Sequence, residues 1–148
     1  MNSGFELLKP KVAKQFKRNM KRVIKQLALS KQVLTVHLCD DKEIKALNKQ
    51  FRGKNKATDV LSFEAGEGAF AIPVLGDIVI SIETARRQAK AASHGLLEEL
   101  TVLFVHGILH LLGYDHEKSD AEAVKHAEAE MFLLSMLNVP VEIALVVR

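Results

Sequence analysis

Three histidines stand in one short stretch, His106-Gly107-Ile108-Leu109-His110-Leu111-Leu112-Gly113-Tyr114-Asp115-His116. His106 and His110 fall within a run from Leu100 to Leu112 that is otherwise almost wholly apolar and long enough for a buried helix. On a helix of ~3.6 residues per turn, a separation of four puts both imidazoles on one face. Gly113 suits the end of that helix because it takes a left-handed backbone without a Cβ clash. The chain can then double back through Tyr114 and Asp115 and bring His116 to the same point. Three neutral imidazoles converging in this way supply three ligands of a zinc site and leave a fourth position for water or substrate, the open arrangement of catalytic zinc. A single histidine in an apolar helix is usually a core residue with one hydrogen-bond partner. Burying three polar rings together costs free energy unless something satisfies them all, and a shared metal does.

The spacing is that of the zinc-protease pattern H-E-x-x-H-x-x-G-x-x-H, with one difference. Gly107 stands where those enzymes carry the glutamate that deprotonates the metal's water. Its absence leaves the metal ligands in place and removes the usual peptidase base.

A chain of 148 residues fits one domain with a core large enough to fold without staples. Its 48% hydrophobic and 26% charged residues are ordinary for a soluble globular protein. The single cysteine, Cys39, forms no internal disulfide, which points to a reducing cytoplasm, and its place after an apolar strand-like run suggests packing rather than chemistry. Met1 to Lys14 lacks the apolar core of a signal peptide. No apolar run approaches the ~20 residues of a spanning helix, so the expectation is a cytoplasmic protein with no membrane partner. The net charge of +3 is unevenly placed: residues 1–60 hold 15 Lys and Arg against 5 Asp and Glu, a net of +10, and residues 61–148 hold 6 against 13, a net of −7. A basic half favours a polyanion such as RNA or DNA, although charged residues also simply solvate exposed helices.

Several elements must position the histidines. Residues 9–28 read as an amphipathic helix with Pro10 in its first turn. Its apolar stripe is Val12, Phe16, Met20, Val23, Ile24 and Leu27, and its other faces are basic, from Lys9 to Lys25, with no acid between. Gln32 to Cys39 reads as a strand; His37 within it reads as a packing residue. Asp40 caps the next helix, with Glu43 three residues on. Thr58 to Phe63 and Val74 to Ile80 are further strands, joined through a glycine-bearing turn from Glu64 to Phe70. Ser81 caps a helix over 82–93, with His94 at its end. The histidine helix spans about 96–112, and Ser119-Asp120-Ala121-Glu122 is a capping box that starts a last helix reaching about Leu137. His126 on that helix, among charges, reads as solvated. Val139 to Arg148 reads as a short extra strand. The order predicts a single α+β domain, a small mixed sheet of three to five strands packed with about five helices.

Three blocks in this order resemble the YbeY family, bacterial metal-dependent endoribonucleases of rRNA maturation. They are Leu47-Asn48-x-x-Phe51-Arg52-Gly53-Lys54 with Thr58-Asp59-Val60-Leu61-Ser62-Phe63, then Leu75-Gly76-Asp77-Ile78, then the histidine stretch. The resemblance implies one zinc ion held by His106, His110 and His116, in a fold loosely similar to zinc-protease catalytic domains. It implies cleavage of single-stranded RNA, with Arg52 and His106 as the catalytic residues. It further implies maturation of the 3′ end of small-subunit rRNA and ribosome quality control, with the small subunit and its assembly proteins as partners. Family members commonly begin with a strand before the first helix, and here only Phe5-Glu6-Leu7-Leu8 offers one.

Zinc brings the pKa of its water toward ~7, and Arg52 has the fork that clamps a phosphate through two parallel hydrogen bonds. Asp115 is the nearest carboxylate, suited to hold a ligand imidazole, to assist proton transfer or to form the turn. Asp59, Asp77 and Ser62 are candidates for the same cleft. The general base is left open, since hydroxide can act without one and the RNA 2′-OH is an alternative nucleophile. The competing functions are a zinc peptidase or amidase, and a non-catalytic rRNA-binding assembly factor whose metal is structural.

Overall fold

The computed structural model describes residues 2–65, 73–115 and 117–139. Its elements are β1 (Asn2–Ser3), a 3-10 turn (Phe5–Leu7), α1 (Pro10–Gln26), β2 (Val33–Cys39), α2 (Asp41–Arg52), β3 (Val60–Glu64), β4 (Val74–Ser81), α3 (Ile82–Ala91), α4 (Leu96–Leu111) and α5 (Asp120–Met136). The sheet order is β1-β2-β4-β3, with β1 and β4 parallel to β2 and β3 antiparallel to β4. Among the described residues it is an α+β fold with five helices and a mixed four-stranded sheet, as the sequence predicts. Among the described residues no helix is long and apolar enough to cross a membrane.

The helix starts follow side-chain chemistry. Asp40 Oδ1 accepts the Glu43 N–H at 2.9 Å, Ser81 Oγ the Thr84 N–H at 3.3 Å and Ser119 Oγ the Glu122 N–H at 3.1 Å. The expected extra strand over 139–148 lies, apart from Val139, outside the described residues, as does most of the turn expected from Glu64 to Phe70. The amino terminus departs from expectation. The first strand is Asn2–Ser3, whose residues pair with Val36 and His37, and Phe5–Leu7 winds into a turn. Gly4 is the reason. Its φ is +80°, and a Cβ there would collide with the Leu38 carbonyl, so the chain peels off the sheet at this point. Phe5 then drops into the core and stacks on Phe16, with ring centroids 5.7 Å apart.

Strand alternation divides the sheet between two cores. Val36, Leu38, Ile78 and Ile80 point to the large core built by α1, α3, α4 and α5. Cys39, Leu61 and Val79 point to a small one closed by Ile44 of α2. Helix α4 is apolar on nearly every side, the pattern of a helix surrounded by protein. It packs on β3, β4, α1, α3 and α5. Helix α1 buries Phe16, Met20 and Val23 and turns its cations outward. Thus α4 presents its histidines from one face of the sheet and α2 brings Arg52 from the other. They meet at β3, the edge strand.

Asp41 fixes the near end of α2. Its Oδ1 accepts hydrogen bonds from Ser81 Oγ and Thr84 Oγ1, both at 2.6 Å, and its Oδ2 accepts one from Arg87 Nη2 at 2.8 Å. Burial alone would raise the Asp41 pKa, but the hydrogen bonds from Ser81, Thr84 and Arg87 outweigh it and hold the carboxyl below its ordinary 3.8. A pKa lowered by folding adds stability that is complete above the unfolded value and is lost as pH falls through the folded one. The urea midpoint of the protein is therefore expected to decline below pH 3.8. Asp41→Asn should start from a lower midpoint at neutral pH and lose less of it on acidification. Parallel acid limbs in the two proteins would exclude Asp41 as the titrating group.

Candidate active site

The two histidines of α4 occupy the face the spacing assigns them. Their rings lie 6.4 Å apart and within 14° of parallel. Both are partly exposed, whereas Val105, Gly107, Ile108 and Leu109 between and beside them are buried. They open into a cleft of about 470 Å³ that is also lined by Arg52, Lys54, Asp59, Ser62, Asp115 and Glu117. The helix ends as expected: Gly113 has φ +97°, its N–H donates to the His110 carbonyl, and the Tyr114 N–H reaches back to Leu109, both at 3.1 Å. His116, the expected third ligand, lies outside the described residues.

Arg52 enters from α2. Its Nη2 donates to the Ser62 carbonyl on β3, and its guanidinium lies over the Phe63 ring at 5.6 Å. Three of the weaker candidates in the cleft are already engaged. Ser62 Oγ donates to the Gly107 carbonyl at 3.1 Å. Asp59 accepts from the Val60 N–H at 2.7 Å and from Gln88 Nε2 at 3.2 Å. Asp115 accepts the Glu117 N–H at 3.0 Å, which is the turn-forming role. Asp77 is exposed on β4 and does not line the cleft.

The carboxylate that orients the His106 imidazole is Glu130 of α5. Glu130 Oε1 lies 2.8 Å from His106 Nδ1 and 3.3 Å from His126 Nδ1. A carboxylate on one ring nitrogen sets the tautomer and leaves the other nitrogen for a ligand in the cleft. His126 is correspondingly not solvated. It is 3% exposed, and its ring packs edge-on against His106 with centroids 4.8 Å apart. The signal for this pair was present in the sequence: His126, Glu130, Leu133 and Leu137 recur at helical spacing and form the buried face of α5. His94, expected only to end α3, instead forms a buried pair with Glu99, Nε2 to Oε2 at 2.6 Å.

Two sets of groups bear on a metal. His106, His126 and Glu130 bring one ligand atom each within 4.8 Å of the others and could hold an ion. His126 and Glu130 are buried, however, and do not line the cleft. On the cleft side, His110 Nδ1 is buried with no hydrogen-bond partner among the described residues. With Nδ1 buried, Nε2 is the nitrogen through which His110 would hold an ion. The donor set of His106 and His110, with Glu130 behind it, fits a borderline cation such as zinc.

Gly107 explains the missing protease glutamate. It points at the sheet, where a Cβ would lie 3.1 Å from Ser62 Oγ and 3.2 Å from Ile78 Cγ2. A side chain at this position enters the core rather than the cleft.

The fold and the cleft define a small α+β domain with a polar, histidine-bearing cleft at one edge of its sheet. The family described as Endoribonuclease YbeY matches residues 2–138. A protein of that name from Aquifex aeolicus is 52% identical over 112 residues, which are 76% of this chain and 75% of that one. Another from Nautilia profundicola is 52% identical over 103 residues, 70% of each chain. The chloroplastic protein of Arabidopsis thaliana is 50% identical over 107 residues, 71% of this chain but 18% of that longer one. The solution structure of a Thermotoga maritima protein superposes with a TM-score of 0.59 at 27% identity, covering 95% of this chain and 93% of the other. The chain belongs to the YbeY family of endoribonucleases and is thereby an enzyme of the nuclease class.

Two outcomes follow from the site's packing. Gly107→Glu should cost on the order of 3 kcal/mol or more in urea denaturation without any gain of peptidase activity, because Ser62 and Ile78 stand in its way. Glu130→Gln should leave the fold intact yet weaken zinc binding by about 10–100-fold in competition with a chromophoric chelator, since it loosens the ring of His106. Unchanged zinc affinity would remove Glu130 from the site.

Proposed function

We propose that the protein is a zinc-dependent endoribonuclease that cuts single-stranded RNA, acting in maturation of the small-subunit rRNA 3′ end and in ribosome quality control. The observation that carries this reading is the meeting of His106, His110 and Arg52 in one cleft. His106, His110 and His116 would hold one zinc ion. Such an ion supplies Lewis-acid polarisation and a nucleophile available near neutral pH.

The chain's own residues supply the rest. Glu130 accepts the Nδ1 proton of His106 and so presents Nε2 to the cleft. Arg52 is anchored on Ser62 by one N–H, which leaves further donors of its fork for a phosphate and for the charge that builds as the phosphodiester is attacked. Lys54 adds a second cation to the same wall. Beside them Phe51 is 58% exposed and its ring lies 5.3 Å from that of Phe63. An unpaired base can stack on such a surface whereas a base held in a duplex cannot, which supports the single-strand preference. RNA is the polyanion that the basic half of the chain suits. A peptidase reading lacks its general base, because position 107 faces the sheet.

The test is cleavage of an end-labelled single-stranded RNA by zinc-loaded protein beside His110→Ala purified identically. Wild type is expected to cut, to stop on chelation and to spare duplex RNA. His110→Ala should lose at least ~10²-fold, and Arg52→Ala about 10²-fold in kcat with its fold retained. Equal cutting by wild type and His110→Ala would assign the activity to a contaminant and overturn the reading. If neither cuts while both bind RNA, the protein is an assembly factor with a structural metal.

A further inference from the structure

At the end of α2 remote from Arg52, three side chains of different chemistry converge. His37 and Cys39 are two residues apart on β2 and therefore share a face of the sheet. Glu43 reaches them from the first turn of α2. His37 Nε2 lies 2.8 Å from Glu43 Oε2. One ligand atom from each of the three lies within 4.8 Å of the other two. Ser3 Oγ bonds the opposite ring nitrogen of His37, Nδ1, and so turns Nε2 toward the cluster. The helix from Glu43 to Arg52 spans about 13 Å at ~1.5 Å per residue, so this group is separate from the cleft.

We propose that His37, Cys39 and Glu43 form a second metal site, one that takes a zinc-class divalent cation with a nitrogen, a sulfur and an oxygen ligand and keeps its fourth position toward solvent. This donor set, with a soft thiolate among harder groups, suits zinc rather than magnesium or calcium. An entry path exists, because the His37 and Glu43 side chains are 32% and 51% exposed while Cys39, at 2%, forms the floor. A hydrogen bond accounts for His37 and Glu43, and a shared cation would engage the Cys39 sulfur together with them. Asp40 and Asp41 add to the same negative field. Burial first, then Glu43, Asp40 and Asp41, push the Cys39 thiol up to about 12, and a dication reverses the sign of that field. On binding, the thiol proton passes to solvent and the thiolate takes its place on the metal. Ser3 then acts on the metal through His37, as an outer partner holding a ligand ring. Occupancy would fasten β2 to the start of the helix that carries Arg52.

Titration of the reduced, metal-stripped full chain with Co²⁺ tests this, because a thiolate ligand gives a near-ultraviolet charge-transfer band that imidazole and carboxylate do not. The chain has one cysteine, so the band reports this site alone. It should appear in wild type, persist in His110→Ala and be absent from Cys39→Ser. His37→Ala, which leaves the core untouched, should weaken Co²⁺ binding at the band by at least about tenfold, and it decides the matter even if Cys39→Ser fails to fold. A wild-type titration without the band would overturn the proposal, and so would a His37→Ala titration that matches wild type.

Discussion

A helix buried on nearly every side must satisfy the polar groups it carries, and α4 carries more than its apolar surroundings tolerate unaided. Most of the neighbouring architecture answers that constraint. Glu99 takes His94 from the end of α3. Thr101 donates to the Leu97 carbonyl and accepts from Asn19 of α1 at 3.1 Å. The Gly107 carbonyl takes Ser62 from β3, and His106 takes Glu130 from α5. Asn19, Ser62 and Glu130 come from three different elements, so the polar groups of one helix help to fix α1, β3 and α5 against it. They do so with directional bonds that apolar packing alone does not supply. On α4, His110 Nδ1 is buried with no hydrogen-bond partner among the described residues, and His110 lines the cleft.

Local signals explain why so much of this was legible in the sequence. Asp40, Ser81 and Ser119 each cap the helix that the spacing assigns them, and the strands follow branched residues in runs of the right length. The histidine spacing of four survives folding because the helix that imposes it is continuous. What escaped depends on partners distant in sequence. Nothing near Gly4 says that the Leu38 carbonyl will lie against it. Charges around His126 suggest a solvated face, yet the identity of Glu130 as its partner follows from how α5 lies on α4. His37 looked like a packing residue and instead bridges Ser3 and Glu43, which are 34 and 6 residues away.

Helix α2 joins two regions that the sheet keeps apart. Its first turn is held by Asp41 against α3 and by Glu43 against β2, and its last residue reaches β3. A rigid rod clamped at one end transmits small tilts to the other. The position of Arg52 is therefore set partly by polar contacts about three turns away, on elements that do not touch the cleft.

The bond from Arg52 to the Ser62 carbonyl has a further consequence. Among the described residues β3 is the last strand of the sheet, and such an edge offers unpaired backbone groups to any passing strand. Here a guanidinium covers one of those groups and a charged side chain stands over the strand. The arginine thus also guards against edge-to-edge self-association. Its removal exposes a template for intermolecular pairing, so material lost to concentration-dependent assembly and catalysis lost to a missing cation would arise from the same substitution and must be separated before either is measured.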